Sequence, residues 1–195
     1  MNALLENPPE SIEIDGKEYE INYDYRTCLK IILAFEDDDL TPGEKTQVML
    51  ELLYKDIPHN IQIAAEKAVL FLDCGEERSE NSDSDDSSER LYSFSYDSKF
   101  IFSAIKYSHG IDLDECPNLH WWKFNYLLFD LDENCFFNRL IYFRRQKAKG
   151  KLTKEESEVY YSMHSVFELP IKLTAEEQAA DDEFMRLLKD GESNG

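Results

Sequence analysis

Glycine is scarce in this chain: there are seven among 195 residues, and none clusters into a phosphate-cradling loop. The patterns Gly-x-x-x-x-Gly-Lys-Ser/Thr, Gly-x-Ser-x-Gly and His-Glu-x-x-His are all missing, which removes the signatures of P-loop nucleotide hydrolases, serine hydrolases and zinc proteases. Basic residues are few, 21 against 41 acids, giving a formal net charge of -20 at pH 7. Such a field repels phosphates and anionic lipid surfaces, so neither a nucleic acid nor a membrane is expected as a partner. No apolar run approaches the roughly 20 residues of a membrane-spanning helix; the longest stretches cover only residues 31–35 and 68–72. The first residues, Met1-Asn2-Ala3-Leu4-Leu5-Glu6, lack the basic start and apolar middle of a secretory signal, which points to a cytoplasmic location.

Cysteine is also sparse. Cys28, Cys74, Cys116 and Cys135 form no Cys-x-x-Cys pair and read as free thiols of a reducing compartment. Cys116 and His120 stand four apart, but one pair falls short of the four ligands of a structural zinc. A calcium loop starting at Asp130, with Asp132 and Asn134 next, fails because Cys135 replaces the turn glycine and Ile141 the closing glutamate. No metal, no other cofactor and no catalytic constellation is expected.

What the chain does contain is apolar and aromatic material, 42% hydrophobic and 13% aromatic residues, arranged mostly at helical spacing. The exception is the N-terminus. Ile12 and Ile14, then Tyr19 and Ile21, alternate with polar residues on either side of Asp15-Gly16, a dipeptide suited to a tight hairpin turn. From Tyr25 the period becomes helical, with Tyr25, Cys28, Leu29, Ile32 and Leu33 as one stripe ended by the acidic run of residues 36–39. Thr41-Pro42-Gly43-Glu44 carries a capping box with proline at the first helical position, and Val48, Met49, Leu52 and Leu53 form the apolar face that follows. A third helix is expected from about Pro58 or Asn60 to Cys74, stopped by Gly75. Residues 76–90 hold seven acids and two arginines with no aliphatic or aromatic side chain, and read as an acidic flexible linker.

Beyond it, Tyr96, Phe100, Ala104 and Tyr107 suggest a helix ending at Gly110, and residues 117–129 the next one. Asp132 is a candidate cap for a helix through Phe136, Leu140 and Phe143, ending in Arg144, Arg145, Lys147 and Lys149 before Gly150. Capping boxes at Thr153/Glu156 and Thr174/Glu177 open two more, the first carrying Val159, Tyr160, Met163 and Phe167 to a stop at Pro170. The expected fold is therefore mainly α, a helical bundle-like domain with a short N-terminal β-hairpin. Its parts are residues 1–75, the linker 76–90, and an aromatic-rich half, 91–195, able to pack with the first into one domain.

Two features suggest contact with another protein. Trp121 and Trp122 are adjacent, so on a helix they point about 100° apart. With Phe124, Leu128 and Phe129 they make that helix apolar around most of its circumference, which suits either deep burial or cover by a partner. Arg144 and Arg145 belong to the one local reversal of charge, readable either as a helix C-terminus or as a dock for an acidic partner or nucleic acid. The candidate partner-binding residues are thus Trp121, Trp122, Phe124, Leu128, Phe129, Arg144 and Arg145.

The pattern Ile14-Asp15-Gly16-Lys17-Glu18-Tyr19 with Asp24-Tyr25-Arg26, the later Ile111-Asp112-Leu113, the string Leu119-His120-Trp121-Trp122-Lys123-Phe124, and Leu140-Ile141-Tyr142-Phe143-Arg144 together resemble the bacteriophage "gene product fifteen" family of siphophages and prophages of Gram-positive hosts. The resemblance spans about residues 10 to 170. It implies a tail assembly chaperone, encoded before the tape-measure gene, that acts in the host bacterial cytoplasm and is not part of the mature virion. The implied partners are the tape-measure protein and the tail-tube protein, with self-association as a further option. Two other readings stay open on charge and composition: an acidic phage protein that inhibits a host nucleic-acid-binding protein, and a minor structural virion protein.

Overall fold

The structure, a computed structural model, describes residues 2–76 and 91–170. Strands β1 (Ser11–Ile14) and β2 (Lys17–Glu20) pair antiparallel, with Ile12 opposite Tyr19 and Ile14 opposite Lys17. Asp15 and Gly16 turn the chain with φ of 51° and 76°, both in the left-handed region that a two-residue hairpin turn requires. Ile12 and Ile14 point into the interior while Glu13 between them faces solvent. The hairpin thereby rests on helix α3, as an isolated two-stranded ribbon must rest on something.

Among the described residues eight α-helices follow: α1 (Tyr25–Glu36), α2 (Pro42–Leu53), α3 (Ile61–Leu72), α4 (Ser98–His109), α5 (Trp121–Phe129), α6 (Phe136–Ala148), α7 (Lys154–Ser162) and α8 (His164–Phe167). The fold is mainly α with a short N-terminal hairpin, as the sequence patterning indicates. Both described capping boxes form, Thr41 with Glu44 and Thr153 with Glu156, each exchanging two hydrogen bonds. Asn60 caps α3, and α4 ends at Gly110.

A single large core unites the hairpin, α1 to α5 and the start of α6, and a smaller one gathers Leu140, Phe143, Tyr160 and Phe167. The buried stripe of α1 is Tyr25, Cys28 and Ile31; Leu33 turns outward, because from Tyr25 and Cys28 the helical period lands on Ile31. On α3 the small residues Ala64 and Ala68 face inward, and the buried Tyr54 hydroxyl donates to the Ala64 carbonyl at 2.9 Å. No described helix is long and apolar enough to cross a membrane.

Three boundaries differ from expectation. The helix expected over 117–129 begins only at Trp121, because His120 is held extended by a bridge to Asp24, with Trp121 N–H donating to the Tyr23 carbonyl at 2.8 Å. Asp132 does not cap α6: its carboxylate accepts from Asn134 N–H at 2.7 Å, and the cap is Cys135, whose Sγ accepts from Asn138 N–H. The helix expected to run from Thr153 to Pro170 breaks at Met163 into α7 and α8, which lets Tyr160 and Phe167 stack on one another at 5.4 Å. The helix expected after Thr174, and all but the first residue of the acidic linker, lie outside the described residues.

Candidate protein-binding surface

Helix α5 carries most of the aromatic residues nominated from sequence, and their placement follows from how it starts. His120 is its N-cap, with Nδ1 accepting from Trp122 N–H at 3.0 Å. That bond leaves Nε2 as the protonated nitrogen, donating to the Pro9 carbonyl at 3.0 Å. The ring stacks on Tyr23 at 4.9 Å, and its burial lowers its pKa from the ordinary histidine value. The N-terminal segment, the start of α1 and α5 are therefore joined through one neutral imidazole.

Trp121 and Trp122 are both interior, 3% and 6% exposed, and do not offer themselves to a partner. Their indole N–H groups donate to Leu72 O at 2.9 Å and Phe71 O at 2.8 Å. These are carbonyls of the last turn of α3, where the helix runs out of its own donors; Phe71 O also accepts from Cys74 N–H at 3.0 Å. The adjacent tryptophans can both be inside because α5 is wrapped on more than one side: Trp121, Trp122, Phe124, Asn125 and Leu128 are all buried. Phe124 is sandwiched between Tyr25 at 4.8 Å and Trp121 at 5.8 Å. Gly75, at φ +79°, completes the turn after α3; a Cβ there would meet the Trp122 ring at 3.1 Å.

Arg144 likewise proves to be interior. Its guanidinium makes a bidentate pair with the fully buried Asp97, Nη1 to Oδ2 at 2.6 Å and Nη2 to Oδ1 at 3.0 Å. Nε donates to Phe167 O at 2.6 Å and Nη1 also to Leu91 O at 3.0 Å. One cation thus ties α6 to the start of α4, to the segment before it and to α8. The last-turn reading of this residue fails because Arg144 lies on the inward face with Phe137 and Leu140, three and seven positions on from the first.

Of the nominated residues, Phe129 and Arg145 are exposed, while Trp121, Trp122, Phe124, Leu128 and Arg144 are not. Phe129 is 81% exposed and shares the outer face of α5 with Lys123 and Tyr126. Tyr107, which the spacing set on the stripe of the helix ending at Gly110, and Tyr161 on α7 are also well exposed, and neither was nominated as a partner contact. The inward stripe of α4 is Ile101, Ala104 and Ile105, not the expected run through Phe100 and Tyr107, and α7 buries Tyr160, so Tyr107 and Tyr161 face out. Exposed aromatics of this kind supply contact area to a partner at low entropic cost.

Two of the thiols are held protonated. Burial raises the pKa of Cys28 and pushes that of Cys74 up to about 12, so neither is a thiolate near neutral pH. Among the described residues no group of three or more His, Cys, Asp or Glu is placed to hold a metal ion.

A family model described as Bacteriophage Gp15 protein matches residues 4–169. Comparison with curated proteins gives no match, and comparison with solved structures gives none either.

Proposed function

The chain belongs to the bacteriophage Gp15 protein family, and from that membership we propose that it acts in phage tail assembly, as a chaperone for the tape-measure protein. The observation that carries this reading is the family match across residues 4–169, which takes in every described helix. In this role the protein covers apolar stripes of a long helical tape measure until tail-tube subunits enclose it. It works in the host cytoplasm and leaves before the virion is complete. The net charge of -20 keeps such a complex soluble, and exposed aromatics such as Phe129 and Tyr107 provide apolar contact without one deep pocket. Many shallow contacts suit a client that must be handed on, because each breaks at little cost as the tube advances.

Co-expression with the tape-measure protein of the same phage tests the proposal. The tape measure should remain in the soluble fraction and co-purify with this chain, and purified virions should contain none of it by mass spectrometry. A tape measure that stays insoluble and unbound when this chain is abundant defeats the reading.

A further inference from the structure

Strand β1 has one ladder edge in use and one free. Ile14 and Lys17 close the two-residue turn, and pairing then alternates. Ile12 bonds with Tyr19 across the hairpin, while Ser11 and Glu13 turn their N–H and C=O groups away from β2. Two bonds fix that parity. Ile21 N–H donates to the Glu10 carbonyl at 3.1 Å between the strands, and the Glu20 carbonyl, turned outward by the same rule, accepts from Lys55 N–H at 3.1 Å. Beyond β2 the ladder is thus continued by the chain after α2, where Ile21 bridges Tyr54 and Asn22 N–H donates to the Leu53 carbonyl at 2.7 Å. Beyond β1 nothing continues it: among the described residues the backbone groups of Ser11 and Glu13 have no hydrogen-bond partner.

The two faces at that edge differ. Ile12 and Ile14 are buried on the side of α3, whereas Glu13 stands in solvent directly opposite Glu18. Two carboxylates facing each other across a hairpin repel. Glu20, the next acid on that face of β2, is paired with Lys55 at 2.7 Å. Among the described residues neither Glu13 nor Glu18 has a cation at ion-pair distance, and Glu18 accepts only from the Ser11 hydroxyl. A basic side chain on a strand added beside β1 would share this face with Glu13 and relieve the pair. We propose that the free edge of β1 docks an extended segment of a partner protein as a third strand, with lysine or arginine alternating with apolar residues. The period of two sets its basic residues beside Glu13 and its apolar residues on the side of Ile12. A second copy of this chain is the poorer occupant, because it brings the same glutamates and a further net charge of -20 to the contact. This contact is separate from the exposed aromatics and does not depend on the tape-measure reading.

Fluorescence anisotropy on the full chain tests the proposal with a labelled, end-capped peptide that alternates lysine and valine. It should bind, and the same peptide with glutamate for lysine should not. A strand paired with β1 directs only every second amide at it, so N-methylation of the lysine amides and of the valine amides should differ, one set abolishing binding and the other sparing it. Equal effects of the two sets overturn the proposal. Ser11→Pro deletes an outward N–H without touching the bonds to β2 and should weaken the peptide about tenfold. If that variant fails to fold, as read by its urea midpoint, the methylated peptides decide the matter on the unaltered protein. Glu13→Lys with Glu18→Lys should also weaken binding about tenfold and flatten its salt dependence. Glu133→Lys with Glu158→Lys, an equal change in net charge at exposed sites outside the hairpin, should leave binding within about twofold. Equal loss in that control pair reduces the contact to bulk charge attraction and overturns the proposal. So does a chain that ignores the peptide and dimerises once Glu13→Val is made, for Glu13 then serves to guard the edge against pairing.

Discussion

Replacing Arg144 with methionine removes the guanidinium from Asp97 while keeping most of the side-chain volume. Asp97, fully buried, then keeps a single described partner, Ser93 N–H, and the Phe167 and Leu91 carbonyls lose their donor. Breaking a buried pair from one side costs about 3–5 kcal/mol, because an uncompensated charge is left inside. At about 2–4 °C per kcal/mol for a chain of this size, the Tm should fall by roughly 6–20 °C. Arg144→Lys keeps the charge but not the planar fork, and should recover only part of that loss. Asp97→Leu combined with Arg144→Met removes both charges and should be more stable than Arg144→Met alone. Urea denaturation followed by tryptophan fluorescence measures all three, since Trp121 and Trp122 report on the main core. An Arg144→Met chain within about 1 kcal/mol of the original would refute the reasoning, for that is what a surface cation gives.

Other outcomes follow from the same geometry. His120 has a folded pKa below its unfolded value of about 6.5. Above the unfolded value both states are neutral and the fold keeps its full stability; as pH falls toward the folded value the unfolded chain gains a proton and stability drops. The urea midpoint should therefore be flat from pH 8 to 7 and decline toward pH 5 by an amount that His120→Asn reduces. Trp122→Phe removes the indole donor from the Phe71 carbonyl, which keeps Cys74 N–H, so the lost bond should cost about 0.5–1.5 kcal/mol, read as a lower urea midpoint. Gly75→Ala forces a positive φ on alanine and presses its Cβ on Trp122, so a loss of about 1–2 kcal/mol is expected by thermal melting. Phe129→Ser should change stability by less than about 0.5 kcal/mol yet lower the yield of co-purified tape measure.

The features legible in the sequence are those whose chemistry is local. A hairpin turn needs two adjacent residues, and a capping box needs residues three apart, so Asp15-Gly16, Thr41/Glu44 and Thr153/Glu156 announced themselves. Long-range pairing was not legible. Arg144 and Asp97 lie 47 positions apart, and the tryptophan indoles reach carbonyls 49 and 51 positions away. Cys135 as the cap of α6 was hidden because cysteine is not a preferred cap and Asp132 stands close by. The same limit governed the candidate surface. An apolar helix such as α5 looks equally suited to core and to partner, and only the positions of α1, α3 and α4 around it turn Trp121, Trp122, Phe124 and Leu128 inward and leave Phe129 outside. The Leu119-His120-Trp121-Trp122-Lys123-Phe124 string, the most distinctive part of the family resemblance, thus builds the fold by capping α3 and starting α5.

The most direct test of a role in tail assembly is to delete this gene from the phage and examine induced lysates by electron microscopy. The account predicts filled heads without tails, with tails restored when the unaltered chain is supplied from a plasmid. Normal tails in the deletion lysate would contradict it.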